Sequence, residues 1–206
     1  MKKNKKATSI AEAMVLMLIV VTWVTWMYKI YMSSVNLERS INNKIIATNI
    51  AREWIEVMKN IRNTNWVLYA SDTKNCWNTL NYNSSCIWDN SDTSDIGSWS
   101  YIINQNSENR WILSWSTSWN YSEPNYRTNF RVWLDSKWFY TQTWVTTNLI
   151  PLYTREIQID YINTTWSTID SNDEKMKVTS LVQWEDNTST SVHRLELTDI
   201  LSNWKK

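Results

Sequence analysis

Glycine is almost missing from this chain: one residue, Gly97, in 206. Average usage of about 7% would put roughly 14 in a chain of this length. No glycine-rich phosphate-binding loop appears in the sequence. Histidine is equally scarce, with His193 alone. No Ser-His-Asp spacing and no metal-ligand cluster can be assembled around it, so His193 reads as a structural or exposed residue. Net charge is +1, which gives no case for nucleic acid or an acidic partner. Two cysteines, Cys76 and Cys86, complete the list of scarcities.

Tryptophan moves the other way, at 16 residues. The excess of one type matches the deficit of the other, which points to translation. Several bacterial lineages read the UGA codon as Gly, and a table reading UGA as Trp writes Trp at each such position. Local context agrees. Trp88 sits in Cys-Ile-Trp-Asp-Asn-Ser, Trp115 and Trp119 in Ser-Trp-Ser-Thr-Ser-Trp-Asn, and Trp138 closes Asp135-Ser136-Lys137-Trp138. Such turn slots often need φ > 0, which Gly supplies without steric cost. Trp66, Trp184 and Trp204 stand in contexts that suit a genuine indole. The competing reading is an aromatic surface for glycans, with Trp and ten Tyr as stacking platforms. No function is assigned to any Trp.

Lys2, Lys3, Lys5 and Lys6 crowd the start of the chain, and an apolar run follows over residues 13–27, extending loosely to 32. A bilayer-spanning helix needs about 20 such residues. The run reaches that length with Tyr28, Ile30 and Tyr31 as an interfacial end and Lys29 snorkelling. The preceding lysines place the N-terminus in the cytoplasm. A secretory signal peptide would need a small-x-small cleavage site after the run, and residues 28–32 provide none. Glu12 stands at the cytoplasmic margin of the run. A carboxylate costs on the order of 2–3 kcal/mol at the centre of such a helix and less at its margin, so it needs a partner. An amine created by cleavage nearby would serve.

Lys5-Lys6-Ala7-Thr8-Ser9-Ile10-Ala11-Glu12, followed directly by an apolar helix, resembles the leader of type IV pilins and type II secretion pseudopilins. The resemblance implies cutting after Ala7 by a prepilin peptidase. Thr8 then becomes the first mature residue, open to methylation, and Glu12 the fifth. The family usually has Gly where Ala7 stands and Phe where Thr8 stands. It also implies that the α-amine of one subunit pairs with Glu12 of a neighbour as helices bundle, which sets register in a low-dielectric filament core.

Helical periodicity continues beyond the membrane segment. Ile41, Ile45, Ile46, Ile50, Ile55, Val57, Met58 and Ile61 recur mostly three to five apart with no Pro between them. A helix over residues 8–62 would be roughly 80 Å long. The alternative is an anchor broken from an ordinary amphipathic helix near Ser33 and Ser34. The stretch from Ala51-Arg52-Glu53-Trp54-Ile55-Glu56 to Asn65-Trp66 is similar to a segment common in pilin-like proteins, with Trp54 where that segment has Gly.

Residues 63–206 read as a β-rich extracytoplasmic head, Ser/Asn/Thr-rich at its start. Outside the cytoplasm an even cysteine count favours one disulfide, Cys76 to Cys86, with free thiols as the alternative. Such a loop could contribute on the order of 2–3 kcal/mol. Two cysteines without nearby His leave a metal site short of ligands. Ile157, Ile159 and Tyr161 alternate with polar neighbours, as do Met176, Val178, Ser180, Val182 and Trp184, and His193, Leu195 and Leu197. These are patterns of half-buried strands. The last two should form a hairpin across residues 185–191. Residues 130–134 and 139–145 are weaker strand candidates. Asp170-Ser171-Asn172-Asp173-Glu174 reads as a polar turn before it reads as a Ca²⁺ site. The C-terminal strands also resemble those of pilin-like proteins, while residues 67–153 match no known pattern.

The expectation is an α+β chain: a leader over 1–7, a helix over 8–62 with its membrane part at about 13–32, and a head over 63–206. The function implied by the resemblance is a minor pilin or pseudopilin, with no enzymatic role, no cofactor and no metal. Its partners would be other pilin subunits, the prepilin peptidase, the inner-membrane assembly platform and membrane lipid. The alternative is a single-pass anchored binding domain that never polymerises. Loss of residues 1–7 separates the two.

Overall fold

The computed structural model describes residues 10–87, 95–106, 108–116, 124–134, 140–142, 153–162, 175–185 and 192–203. The architecture is α+β: a long N-terminal apolar helix and a head built on a five-stranded antiparallel sheet. The chain divides into two compact units, Met1–Ile45 and Ile46–Lys206. One helix, α1 (Ile10–Leu68), contributes to both.

In the first unit α1 is apolar around its circumference over residues 13–27, and no Pro or Gly interrupts it. Its hydroxyls bond inward. Thr22 Oγ1 donates to the Ile19 carbonyl at 2.7 Å and Thr25 Oγ1 to the Thr22 carbonyl at 2.8 Å. Such back-bonding satisfies both threonine hydroxyls within the apolar segment.

In the second unit α1 becomes amphipathic. Ala47, Ile50, Ala51, Trp54, Met58, Ile61 and Asn65 recur three or four apart and are all buried. That spacing lines one face of a helix. The sheet it covers has the order β2-β1-β5-β6-β7. Its strands are β1 (Ser100–Gln105), β2 (Trp111–Trp115), β5 (Tyr153–Tyr161), β6 (Lys175–Glu185) and β7 (Val192–Ser202). A separate pair joins β3 (Trp133–Leu134) to β4 (Tyr140–Thr141). Short helices α2 (Thr73–Cys76) and α3 (Pro124–Asn129) and two 3₁₀ turns, Leu80–Tyr82 and Ser84–Ile87, complete the described elements.

Register explains the core. Ile159 pairs with Val178, Ile157 with Ser180 and Tyr161 with Met176; on the next strand Met176 pairs with Leu201 and Ser180 with Leu197. Residues directly opposite share a face, so these rows form one apolar surface. Trp54, Met58 and Ile61 of α1 cluster with it. A second cluster joins Ala47, Ile50 and Ala51 to Val132, Tyr153, Val182 and Trp184.

Three details differ from the sequence reading. The helix closes at Leu68, beyond residue 62, because Asn65 and Trp66 are buried and anchored. Trp66 Nε1 donates to Asn203 Oδ1 at 3.2 Å. β5 and β6 are buried on both faces, whereas β7 keeps the half-buried alternation. The second face of β5 is polar but satisfied: Glu156 accepts from Ser100 Oγ, from Tyr126 OH at 2.8 Å and from Gln158 Nε2 at 3.1 Å. Third, β1 and β2 lie in the stretch that matched no pattern. Their turn is built by Asn106, whose Oδ1 accepts from the amides of Glu108 and Arg110 at 3.0 and 2.9 Å. The residues 186–191 that would join β6 to β7 lie outside the described residues, and of residues 139–145 only 140–142 are described.

Among the described residues, non-glycine positive φ occurs at Asn81, Tyr82 and Asn109 and at no Trp. Trp115 is a strand residue and exposed. Trp88, Trp119, Trp138 and Trp204 lie outside the described residues.

Candidate functional site

The first turn of α1 carries Glu12, exposed between Ile10 and Met14. From there to Met32 nearly every large side chain is exposed, including Leu16, Leu18, Val21, Trp23, Trp26 and Ile30. This segment is long and apolar enough to cross a membrane, and none of it is buried within the described chain. An apolar surface far beyond a few hundred Å² marks a lipid or protein contact. The stripe continues past the apolar run. Leu37, Ile41 and Ile45 lie four apart and are all exposed, with Glu38, Arg39 and Asn42 beside them. The cut expected between Ala7 and Thr8 lies outside the described residues.

Cys76 and Cys86 form a disulfide, with Cα atoms 5.3 Å apart. Both are buried, in a small cluster with Tyr69. The loop they close is fastened to the end of α1 and to the sheet. Asn65, fully buried, donates from Nδ2 to the carbonyls of Trp77 at 3.3 Å and Thr79 at 3.1 Å. Asn203 Nδ2 reaches the Thr73 carbonyl at 3.1 Å. Tyr69 OH donates to the Tyr82 carbonyl.

Asn81 closes the outer edge of β2. Its Oδ1 accepts from the Leu113 amide at 2.7 Å, and its Nδ2 donates to the Leu113 carbonyl at 2.9 Å. An amide side chain here supplies the pair of bonds that a further strand would make. To do so Asn81 takes φ 51° and Tyr82 φ 61°. Asn tolerates this region, whereas a left-handed Tyr82 costs on the order of 1–2 kcal/mol, and such residues persist where surrounding contacts over-determine them. Gln142 plays the same part where β1 diverges from β5: its Oε1 accepts from the Ile103 amide at 3.3 Å, and its Nε2 donates to the Phe130 carbonyl at 3.0 Å.

Arg155 lies between α1 and the sheet, 1% exposed. Its guanidinium sits 3.3 Å over the Trp54 ring and 3.5 Å from Glu53 Oε2. Burial pulls Arg155 well below its usual pKa, and Glu53 partly restores it. Burial likewise raises Glu53, offset in part by the Arg155 charge. Arg155 Nε and Trp54 Nε1 are both buried without an acceptor.

His193 stacks on Trp184, ring centroids 5.3 Å apart, half-buried on β7. Residues 170–174 lie outside the described residues. Among the described residues no three His, Cys, Asp or Glu side chains converge as metal ligands. Asn65, Asn81, Gln142 and Arg155 were not singled out from sequence. Only the left-handed tolerance of Asn offered any signal, and it does not say which Asn is used.

Trp66 and Trp184 have packed environments: Arg62 lies 4.6 Å over the Trp66 ring, and Trp184 meets Tyr153 with centroids 6.0 Å apart. Trp23, Trp26, Trp99 and Trp115 are exposed. No family model, no curated protein and no solved structure matches this chain.

Proposed function

We propose that this chain is a structural subunit, a minor pilin or pseudopilin, of a type IV pilus or type II secretion-like filament. The observation that carries the reading is a spacing joined to a helix. Ala7, Thr8 and Glu12 stand as in a prepilin leader, and directly after them runs a single helix whose first part is apolar and exposed. After cleavage on the cytoplasmic side, the apolar segment holds the subunit in the membrane with its head outside. The same segment then packs against other subunits as the assembly platform moves them into a filament. Glu12 would meet the α-amine of a neighbouring Thr8. An unpaired carboxylate in that bundle is penalised, and the pair removes the penalty. The role is structural, with no reaction and no cofactor.

We infer also that many of the tryptophans are glycine in the source organism. Composition is the main support. The sorting of indoles adds to it: Trp66 and Trp184 are packed and partnered, whereas Trp23, Trp26 and Trp115 stand exposed. The second functional reading, an anchored glycan-binding domain, draws on the exposed indoles of Trp99 and Trp115.

The test is Glu12→Ala in the source organism. The filament reading predicts unchanged membrane levels and a marked loss of subunit from filaments sheared off the cell surface. An anchored module would be missing from the sheared fraction with or without the substitution.

A further inference from the structure

We propose that the oxidation state of the Cys76–Cys86 pair sets whether the outer edge of the sheet at β2 is closed or open. An unpaired strand edge offers its amides and carbonyls to any other chain, and proteins protect such edges by covering them. Among the described residues the 3₁₀ turn Leu80–Tyr82 lies against β2, and its Asn81 bonds both backbone groups of Leu113.

The loop that presents Asn81 is held unevenly. Its first half is fastened independently of the disulfide. Asn65 bonds the Trp77 and Thr79 carbonyls. The Ile96 amide donates to the Asn78 carbonyl at 2.9 Å, Asn78 Nδ2 donates to Tyr161 OH at 2.9 Å, and Thr79 bridges to Asp95. The second half bears the left-handed pair Asn81 and Tyr82, a conformation that residues with a Cβ leave when released. It is restrained by the Asn83 amide bonded to the Leu80 carbonyl at 3.1 Å, by Leu80 packed on the core, by Arg110 5.7 Å over the Tyr82 ring, by the Tyr69 bond to the Tyr82 carbonyl, by Thr79 Oγ1 to the Asn83 carbonyl at 3.0 Å, and at its far end by Cys86. Tyr69 itself packs on the two cysteines. Opening the disulfide therefore removes one restraint directly and loosens another. The strained pair relaxes and Asn81 leaves Leu113.

The chemistry is thiol–disulfide exchange. Both cysteines are buried, so exchange proceeds through local opening of the loop: an external dithiol then delivers two electrons to the Cys76–Cys86 bond, both sulfurs become thiols, and the reductant closes its own disulfide. In the forward direction an external disulfide oxidises the two thiols and the edge closes as the head matures. The inference does not depend on the filament reading, since it concerns the head alone.

Hydrogen exchange of the full chain in detergent micelles tests it, read at the Leu113 amide with the Val178 and Val182 amides of β6 as reference. Dithiothreitol should speed Leu113 exchange at least about tenfold while the β6 amides stay as they were. Asn81→Ala with the disulfide intact should give the same increase, and adding dithiothreitol to that variant should add nothing. Leu113 exchange unchanged by dithiothreitol or by Asn81→Ala would overturn the proposal. So would β6 amides that accelerate together with Leu113, because the disulfide would then hold the whole sheet and not its edge.

Discussion

Replacing Asn65 is the sharpest perturbation of the junction between the helix and the disulfide loop. Its side chain is fully buried, and its Nδ2 feeds two carbonyls, those of Trp77 and Thr79, at 3.3 and 3.1 Å. Asn65→Ala removes both donors and leaves two backbone acceptors in a closed environment. Each lost hydrogen bond is worth about 1 kcal/mol net, and each stranded group carries a desolvation cost of ~1–3 kcal/mol. Asn65 Oδ1 is itself buried without a partner, and its removal offsets part of this, so the expected loss is about 1–3 kcal/mol. At ~2–4 °C per kcal/mol, the melting temperature of the head should fall by roughly 2–12 °C. Asn65→Asp keeps the shape and inverts the chemistry: a carboxylate oxygen then faces two carbonyl oxygens with no proton to share. It should be more damaging than alanine at neutral pH, and should recover as acid protonates the new carboxyl and restores one donor. Near-UV circular dichroism of the full chain in micelles, followed during heating, reads all three proteins. If Asn65→Asp were as stable as Asn65→Ala or more stable at neutral pH, the amide nitrogen would not be aimed at those carbonyls, and the reasoning would fail.

Two further expectations concern the buried cation. Arg155 has one ion-pair contact, at 3.5 Å, and an unpaired Nε, so its desolvation is only partly offset. Glu53 is 32% exposed and can be solvated if left alone. Arg155→Met, which keeps the volume, should therefore change stability by no more than about 1 kcal/mol in urea unfolding, and a loss above about 3 kcal/mol would show the guanidinium to be structurally essential. The second concerns pH. Burial raises Glu53 above its reference value of 4.5. A raised folded pKa means that the native state holds the proton more tightly than the unfolded chain. The resulting stability is fully present below 4.5 and is lost as pH rises through the folded value. Glu53→Gln should flatten that part of the curve of urea midpoint against pH, and an unchanged slope would contradict the assignment.

Much of the fold was legible because it rests on periodicity. The three- and four-residue spacing from Ile50 to Ile61 fixed the packed face of α1, and the alternation in Ile157–Tyr161 and His193–Leu197 fixed the faces of β5 and β7. Both signals are local, and apolar burial enforces them. Two-sided burial of β5 and β6 was not legible. Glu156 of β5 and Thr179 and Gln183 of β6 look solvent-facing in sequence, yet all three are buried. β1 and β2 were missed because Ser, Asn and Gln dilute their alternation and their turn uses Asn rather than Gly. Composition itself hides turns here: where Gly is scarce, left-handed slots at Asn81, Tyr82 and Asn109 carry no glycine to mark them. The disulfide followed from counting cysteines, whereas the Asn81 clamp that it supports joins residues 32 apart and leaves no local trace.

The central claim is that the leader is removed and the apolar helix then assembles. Mass spectrometry of the N-terminal tryptic peptide ending at Lys29, from protein isolated from its own organism, tests it most directly. The account predicts a peptide beginning at Thr8, with or without an added methyl group, and glycine masses at positions 23 and 26. A peptide beginning at Ala7, produced by trypsin after Lys6, would contradict the claim and leave an anchored module. Tryptophan masses at 23 and 26 would refute the recoding.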